Sequence, residues 1–95
     1  MTDIPYQGQI VKKYGEAQYN IAMEECAELI QAINKQIRYH TKESREDLIE
    51  EMADVLICIE QLKLLAEVKP FEIQQMVDWK WERTKREVLK GDKKS

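Results

Sequence analysis

Turn-forming and metal-loving side chains are scarce in this chain: one histidine, two cysteines, two prolines and three glycines in 95 residues. Each scarcity excludes something. So few glycines and prolines argue against a fold of many short strands and for a few long elements. A lone histidine, His40, rules out a di-iron bundle site, which needs a repeated Glu-x-x-His. It equally rules out zinc sites built on histidine, and Cys26 and Cys58 lack any ligand spacing. Those cysteines each sit in an apolar helical pattern, so they read as buried thiols of a reducing compartment and not as a disulfide framework. No run of about 18 apolar residues occurs, which excludes a transmembrane helix. The opening Met1-Thr2-Asp3-Ile4-Pro5 has no basic region leading into an apolar stretch, so no secretory signal is expected and a cytoplasmic location is. Neither GxxxxGK[ST] nor GxGxxG is present, so the common loop-based phosphate cradles are absent.

Charge is what the chain has in quantity. Residues 1–79 carry 8 Lys/Arg against 15 Asp/Glu, a net −7, whereas residues 80–95 carry 7 Lys/Arg against 3 Asp/Glu, a net +4. An acidic body with a basic tail can bind metal in one place and phosphate in another. The plainer reading of the tail is a solvated helix end, where cations are favoured by the helix dipole.

The periodicity predicts one all-α domain over residues 1–95, with 91–95 as a disordered tail. A short leader helix over about 6–13 ends near Gly15. Three long helices follow, over about 16–39, 44–67 and 70–90, as an antiparallel bundle. Ser44 is the expected N-cap of the second long helix, with Asp47 three residues on. Lys69-Pro70 ends that helix, because the residue before proline is pushed out of helical geometry and proline suits a helix's first turn. Gly91 is the expected stop of the last. Ala22, Cys26, Leu29, Ile33 and Ile37 form one apolar stripe, and Leu48, Met52, Val55, Ile59 and Leu62 another. A chain this short cannot cover two such long stripes, so completion by oligomerisation is expected.

Beside those stripes lie two matching acidic motifs. Glu24-Glu25-Cys26-Ala27-Glu28 precedes Glu50-Glu51-Met52-Ala53-Asp54 by a helix and a turn. A spacing of three puts Glu25 and Glu28 about 60° apart on one helix face, and Glu51 and Asp54 repeat the geometry. By helical angle the first pair shares an arc with Ile21, Leu29 and Ala32, and the second with Val55, Cys58, Leu62 and Leu65. Glutamate is a good helix former, so surface acids paired with lysine are the bland alternative. Lysine is missing at i+4, however: position 29 is Leu and position 55 is Val. An antiparallel pair would gather all four acids, and a hard divalent cation with oxygen ligands, Mg²⁺ or Mn²⁺, would relieve their repulsion.

Glu25-x-x-Glu28, 22 intervening residues, then Glu51-x-x-Asp54 resembles the signature of the MazG-like all-α nucleotide pyrophosphohydrolases, and GEAQYNIAMEECAELIQ over 15–31 is similar to their small stand-alone and phage-associated members. Lys80 and Arg83 in DWKWER match a Lys/Arg pair on the family's last helix, although position 84 is Thr where larger members carry a further arginine. The resemblance covers about residues 14–86. It implies hydrolysis of nucleoside triphosphates, often deoxynucleotides, to the monophosphate and pyrophosphate. It implies Mg²⁺ on Glu25, Glu28, Glu51 and Asp54, phosphate contacts from Lys80 and Arg83, and a homodimer or homotetramer. Glu24 and Glu50 are candidates for orienting water or serving as base.

Trp79, Trp81, Tyr19 and Tyr39 read as packing or interface residues, Cys58 as a small buried one, and His40 as a helix-end residue. The rival to an enzyme is a non-catalytic helical module with a basic docking tail. Nucleic acid is not an expected partner, since the body is acidic and no reading helix precedes the tail.

Overall fold

The computed structural model describes residues 4–90, which form four helices: α1 (Ile4–Tyr14), α2 (Ala17–Tyr39), α3 (Lys42–Leu65) and α4 (Pro70–Lys90). No strand occurs among the described residues. The expected stop at Gly91 and the expected tail lie outside them. No helix among the described residues is long and apolar enough to cross a membrane.

Three helix ends share one device, a residue in left-handed conformation. Gly15 (φ 57°) closes α1, its N–H donating to the Val11 carbonyl at 2.7 Å. His40 (φ 53°) closes α2, donating to Gln36 O. Glu67 (φ 56°) follows α3, where Val68 N–H reaches the Lys63 carbonyl at 2.8 Å and Glu67 N–H the Leu64 carbonyl at 3.4 Å. That pair of bonds is a Schellman motif. Only the first of these ends uses glycine, the residue that tolerates positive φ without strain.

The start of α3 corrects an expectation. Its N-cap is Thr41, in extended conformation, and Ser44 is the third helical residue. Thr41 Oγ1 accepts from Ser44 N–H at 3.0 Å while Ser44 Oγ accepts from Thr41 N–H at 2.9 Å, a reciprocal capping box. The reason is local. Threonine caps as serine does, and a helix beginning two residues earlier leaves only His40 and Thr41 as the connection. At the other end, Pro70 opens α4 as predicted, and the Glu72 carboxylate accepts from Lys69 N–H at 3.1 Å.

α2 and α3 run antiparallel. Gln18 at the start of α2 donates to Gln61 at the end of α3 at 2.9 Å. Gln36 at the end of α2 accepts from Ser44 Oγ at the start of α3 at 2.7 Å. The seam between them is made of small and polar residues: Gln18, Ala22 and Ala32 are buried on α2, and Ser44, Cys58 and Gln61 on α3. Small side chains let the two backbones approach, but they remove little apolar surface from water, so the hydrophobic contribution here is modest at about 25 cal/mol per Å². α1 packs on the same pair, chiefly against α3.

The apolar stripes do not face this seam squarely. Leu29, Leu48, Val55 and Leu62 are half-buried, whereas Ile33, Ile37, Met52 and Ile59 are exposed. α4 buries no residue and makes no extensive contact with the other helices. The radius of gyration is 16.7 Å, against about 13 Å for a compact chain of this length. The expected three-helix bundle is therefore, in the single chain, an antiparallel pair backed by α1, with α4 apart.

Candidate metal centre

The two glutamine-based cross-links set the register of α2 on α3. Pairing residue 18 with 61 and 36 with 44 brings the centres of the helices together, and residues 25 and 28 then fall opposite 54 and 51. Local helix geometry completes the arrangement, because a three-residue spacing keeps each acidic pair on one face. One oxygen each of Glu25, Glu28 and Glu51 lies within 4.8 Å of the others. Asp54, half-buried, is close enough to Glu25 and Glu51 to act on both carboxyls.

The electrostatics are unfavourable as they stand. The Glu25 carboxyl is pushed above its ordinary value, first by burial and then by the charges of Glu28, Asp54 and Glu24. Glu51 is raised by burial, then by Glu28, Asp54, Glu25 and Glu50. Among the described residues no ion pair ends on any of the four acids; the pairs present are Glu60–Lys63 and Glu82–Lys85. Glu25 Oε1 and Glu51 Oε1 are moreover buried with no hydrogen-bond partner. A buried acceptor without a donor is rare in folded proteins and calls for an explanation. Surface acids paired with lysine would show neither feature. A hard cation with oxygen ligands would answer both, so the donor set fits a divalent metal.

Glu24 and Glu50 are exposed beside the cluster, one residue before Glu25 and Glu51. Among the described residues neither Lys80 nor Arg83 pairs with any of the four acids, and α4, which carries them, makes no extensive contact with α2 or α3. Both side chains are exposed on α4, and the Arg83 guanidinium lies 5.1 Å from the centre of the Trp79 ring.

Two hollows adjoin the acids. One, of about 300 Å³, is lined by Glu28 and Glu51 with Gln31, Lys35 and Asp47. The other, of about 360 Å³, has Glu25 and Asp54 at one edge, Ile10, Tyr14, Ile21 and Ile57 as apolar walls, and the Gln18–Gln61 pair as its polar part. Buried Cys58 also lines it, its thiol raised by burial, then by Glu25, Cys26 and Asp54. Sequence reasoning passed over Gln18, Lys35 and Gln61. The signal was available: each stands seven residues, two helical turns, from a motif acid (Glu25, Glu28 and Asp54 respectively), which puts it on the acid's face.

Among the described residues, then, paired carboxylates lie between two antiparallel helices with a hollow on either side, a donor set of the kind that suits a divalent metal. Comparison with known families makes this specific. The MazG nucleotide pyrophosphohydrolase domain matches residues 15–86, and the chain belongs to that family. The match spans α2, α3 and most of α4, and leaves α1 outside. No curated protein and no solved structure matches the chain.

Proposed function

We propose that this protein is a divalent-metal-dependent nucleoside triphosphate pyrophosphohydrolase, acting foremost on deoxynucleoside triphosphates, with Glu25, Glu28, Glu51 and Asp54 as metal ligands. Membership of the family supports the reaction class. The observation that carries the site is the pair of buried, unpartnered oxygens, Glu25 Oε1 and Glu51 Oε1, inside the carboxylate group. Mg²⁺ is the ion we assign, with Mn²⁺ as a substitute; bound there it would neutralise phosphate charge and make a water acidic enough to attack.

The reaction balances simply. Water adds to the α-phosphorus, the bond from that phosphorus to the oxygen bridging to the β-phosphorus breaks, and pyrophosphate leaves with the electron pair. The water's proton passes to a carboxylate. Glu24 and Glu50 are the candidates, being exposed next to ligand acids and hence open to water. The chain must also offset the negative charge of the phosphate tail. Lys35 lines the hollow beside Glu28 and Glu51. Lys80 and Arg83 are the further cations, and helices meeting between copies would carry them to the acids. The bare apolar residues of α4, Phe71, Met76, Trp79 and Trp81, support such a meeting. The site would then be completed in a homodimer or homotetramer. Free Cys26 and Cys58 accord with a cytoplasmic setting.

The test is hydrolysis of each NTP and dNTP with and without Mg²⁺, run in ¹⁸O-water. The expected result is pyrophosphate release only with metal, and one ¹⁸O in the monophosphate product. Absence of pyrophosphate with every nucleotide, or a Glu51→Ala variant as active as wild type, overturns the proposal.

A further inference from the structure

The two hollows differ in chemistry, and a nucleoside triphosphate has two chemically different ends. The hollow beside Glu28 and Glu51 is polar and carries Lys35. The hollow beside Glu25 and Asp54 is walled by Ile10, Tyr14, Ile21 and Ile57 and contains two amides. Its volume of about 360 Å³ lies in the range of small-molecule sites, about 300–1,000 Å³, and its make-up is typical of them: apolar walls with a few placed polar groups. A triphosphate anchored at the acids must extend its base to one side or the other. Of the two hollows that the acids line, the second is the one with apolar faces on which an uncharged heterocycle loses no hydrogen bonds.

We infer that this hollow receives the nucleobase and that Gln18, held in place by Gln61, is the residue that reads the base's polar edge. The inference rests on the reading of the acids as the triphosphate site. Gln18 is 3 % exposed and Gln61 7 %. Their hydrogen bond of 2.9 Å, from Gln18 Nε2 to Gln61 Oε1, joins α2 to α3. That bond takes one N–H of Gln18, so its amide cannot exchange donor and acceptor ends alone: the Gln61 amide would have to turn with it. An amide free to flip would accept either a carbonyl or an amino group on the base; a fixed one distinguishes them. The walls add no discrimination of this kind, since apolar contacts tell bases apart only by size. The triphosphate thus runs along the seam, with its base toward α1 and its terminal phosphates toward Lys35. Base preference is set by a residue seven positions from the nearest ligand acid.

The experiment compares kcat/KM across the four dNTPs and an abasic deoxyribose triphosphate, for wild type and for Gln18→Leu. Wild type is expected to prefer some bases over others. In Gln18→Leu the spread among bases, and the advantage of the best base over the abasic compound, should each shrink about 10-fold or more. Ile57→Trp, at a rim position 37 % exposed, keeps the inference testable if the buried substitution fails to fold. It should raise KM for every nucleotide about 10-fold or more while leaving the abasic compound little changed. A wild type indifferent to the base overturns the inference, as does a folded Gln18→Leu with an unaltered spread or an Ile57→Trp that affects both substrate types alike. Failure to hydrolyse any nucleotide, by contrast, strikes the proposed function itself.

Discussion

Glu25 and Glu51 are the residues at which this chain departs furthest from what a stable fold would choose. Both carboxyls are raised, mainly by burial. A group whose folded-state value lies above its unfolded one binds more protons in the folded state, so stability falls as pH rises through the raised value. In the metal-free protein, therefore, these two acids oppose folding at neutral pH, and the opposition is relieved as pH drops toward their folded values above 4.5. Two outcomes are expected by thermal melting. Glu51→Gln should melt a few degrees above wild type near neutral pH without metal, with a flatter pH dependence, because the amide keeps shape without charge. Saturating Mg²⁺ should raise the melting temperature of wild type and not of the variant. A metal-free Glu51→Gln that melts lower at every pH would show the acids to be satisfied without a cation. Cys58, buried in the same seam, is predicted to resist alkylation in the folded protein, unlike Cys26, which its apolar pattern read as buried and the fold leaves exposed.

At the scale of elements, the connection from α2 to α3 does more than turn the chain. Ser44 closes the capping box and donates to Gln36, so one hydroxyl joins a helix start to the neighbouring helix's end. Since it helps hold the register that places the acids opposite one another, Ser44→Ala should lower stability by about 1–2 kcal/mol in urea unfolding. It should also weaken metal affinity, which a purely local cap would leave alone. The end of α3 offers the opposite sign. Glu67 sits at φ 56° without glycine's freedom. Glu67→Gly should relieve left-handed strain and stabilise by up to about 1 kcal/mol, part of the gain being offset by glycine's larger unfolded-state entropy. A destabilised Glu67→Gly would mean that its side chain has a role not evident in the geometry.

For the molecule as a whole, the core is too thin for the surface it must justify. Among the described residues the buried apolar ones are Ala22, Ala32 and Cys58, while Ile37, Trp81, Val88 and Leu89 stand more than half exposed. α4 has no partner of substance among the described residues. Sedimentation should accordingly give a mass that is a multiple of 11.3 kDa. If helices from different copies complete the site, Glu51→Ala mixed with a Lys80→Ala, Arg83→Ala double variant should recover part of the activity each lacks alone. A monomer by sedimentation, fully active, would remove the argument for shared sites.

Much of this was legible in residue order. Helix number and the start of α4 at Pro70 follow from backbone chemistry that acts over a few residues, whereas α3 stops at Leu65, before the expected break at Lys69-Pro70. Gly15 marked where the first helix ends, but the left-handed turns at His40 and Glu67 were not legible, because histidine favours positive φ only weakly and glutamate does not favour it at all. The acids were legible as two faces, for a three-residue spacing fixes direction on any helix. Their gathering by an antiparallel pair was expected too, but the make-up of the seam was not: small and polar residues meet there, and the apolar stripes are left half open. That packing depends on how closely Ala22, Ala32 and Cys58 let two backbones approach and on the Gln18–Gln61 and Gln36–Ser44 bonds. These contacts join residues distant along the chain, and periodicity within one helix carries no information about them. The sequence by itself thus determined the helices, the acidic motifs and the family. Only the tertiary structure decided how closely Glu25, Glu28 and Glu51 converge, that two oxygens among the acids are left without donors, and that α4, with Lys80 and Arg83, makes no extensive contact with the helices that carry them.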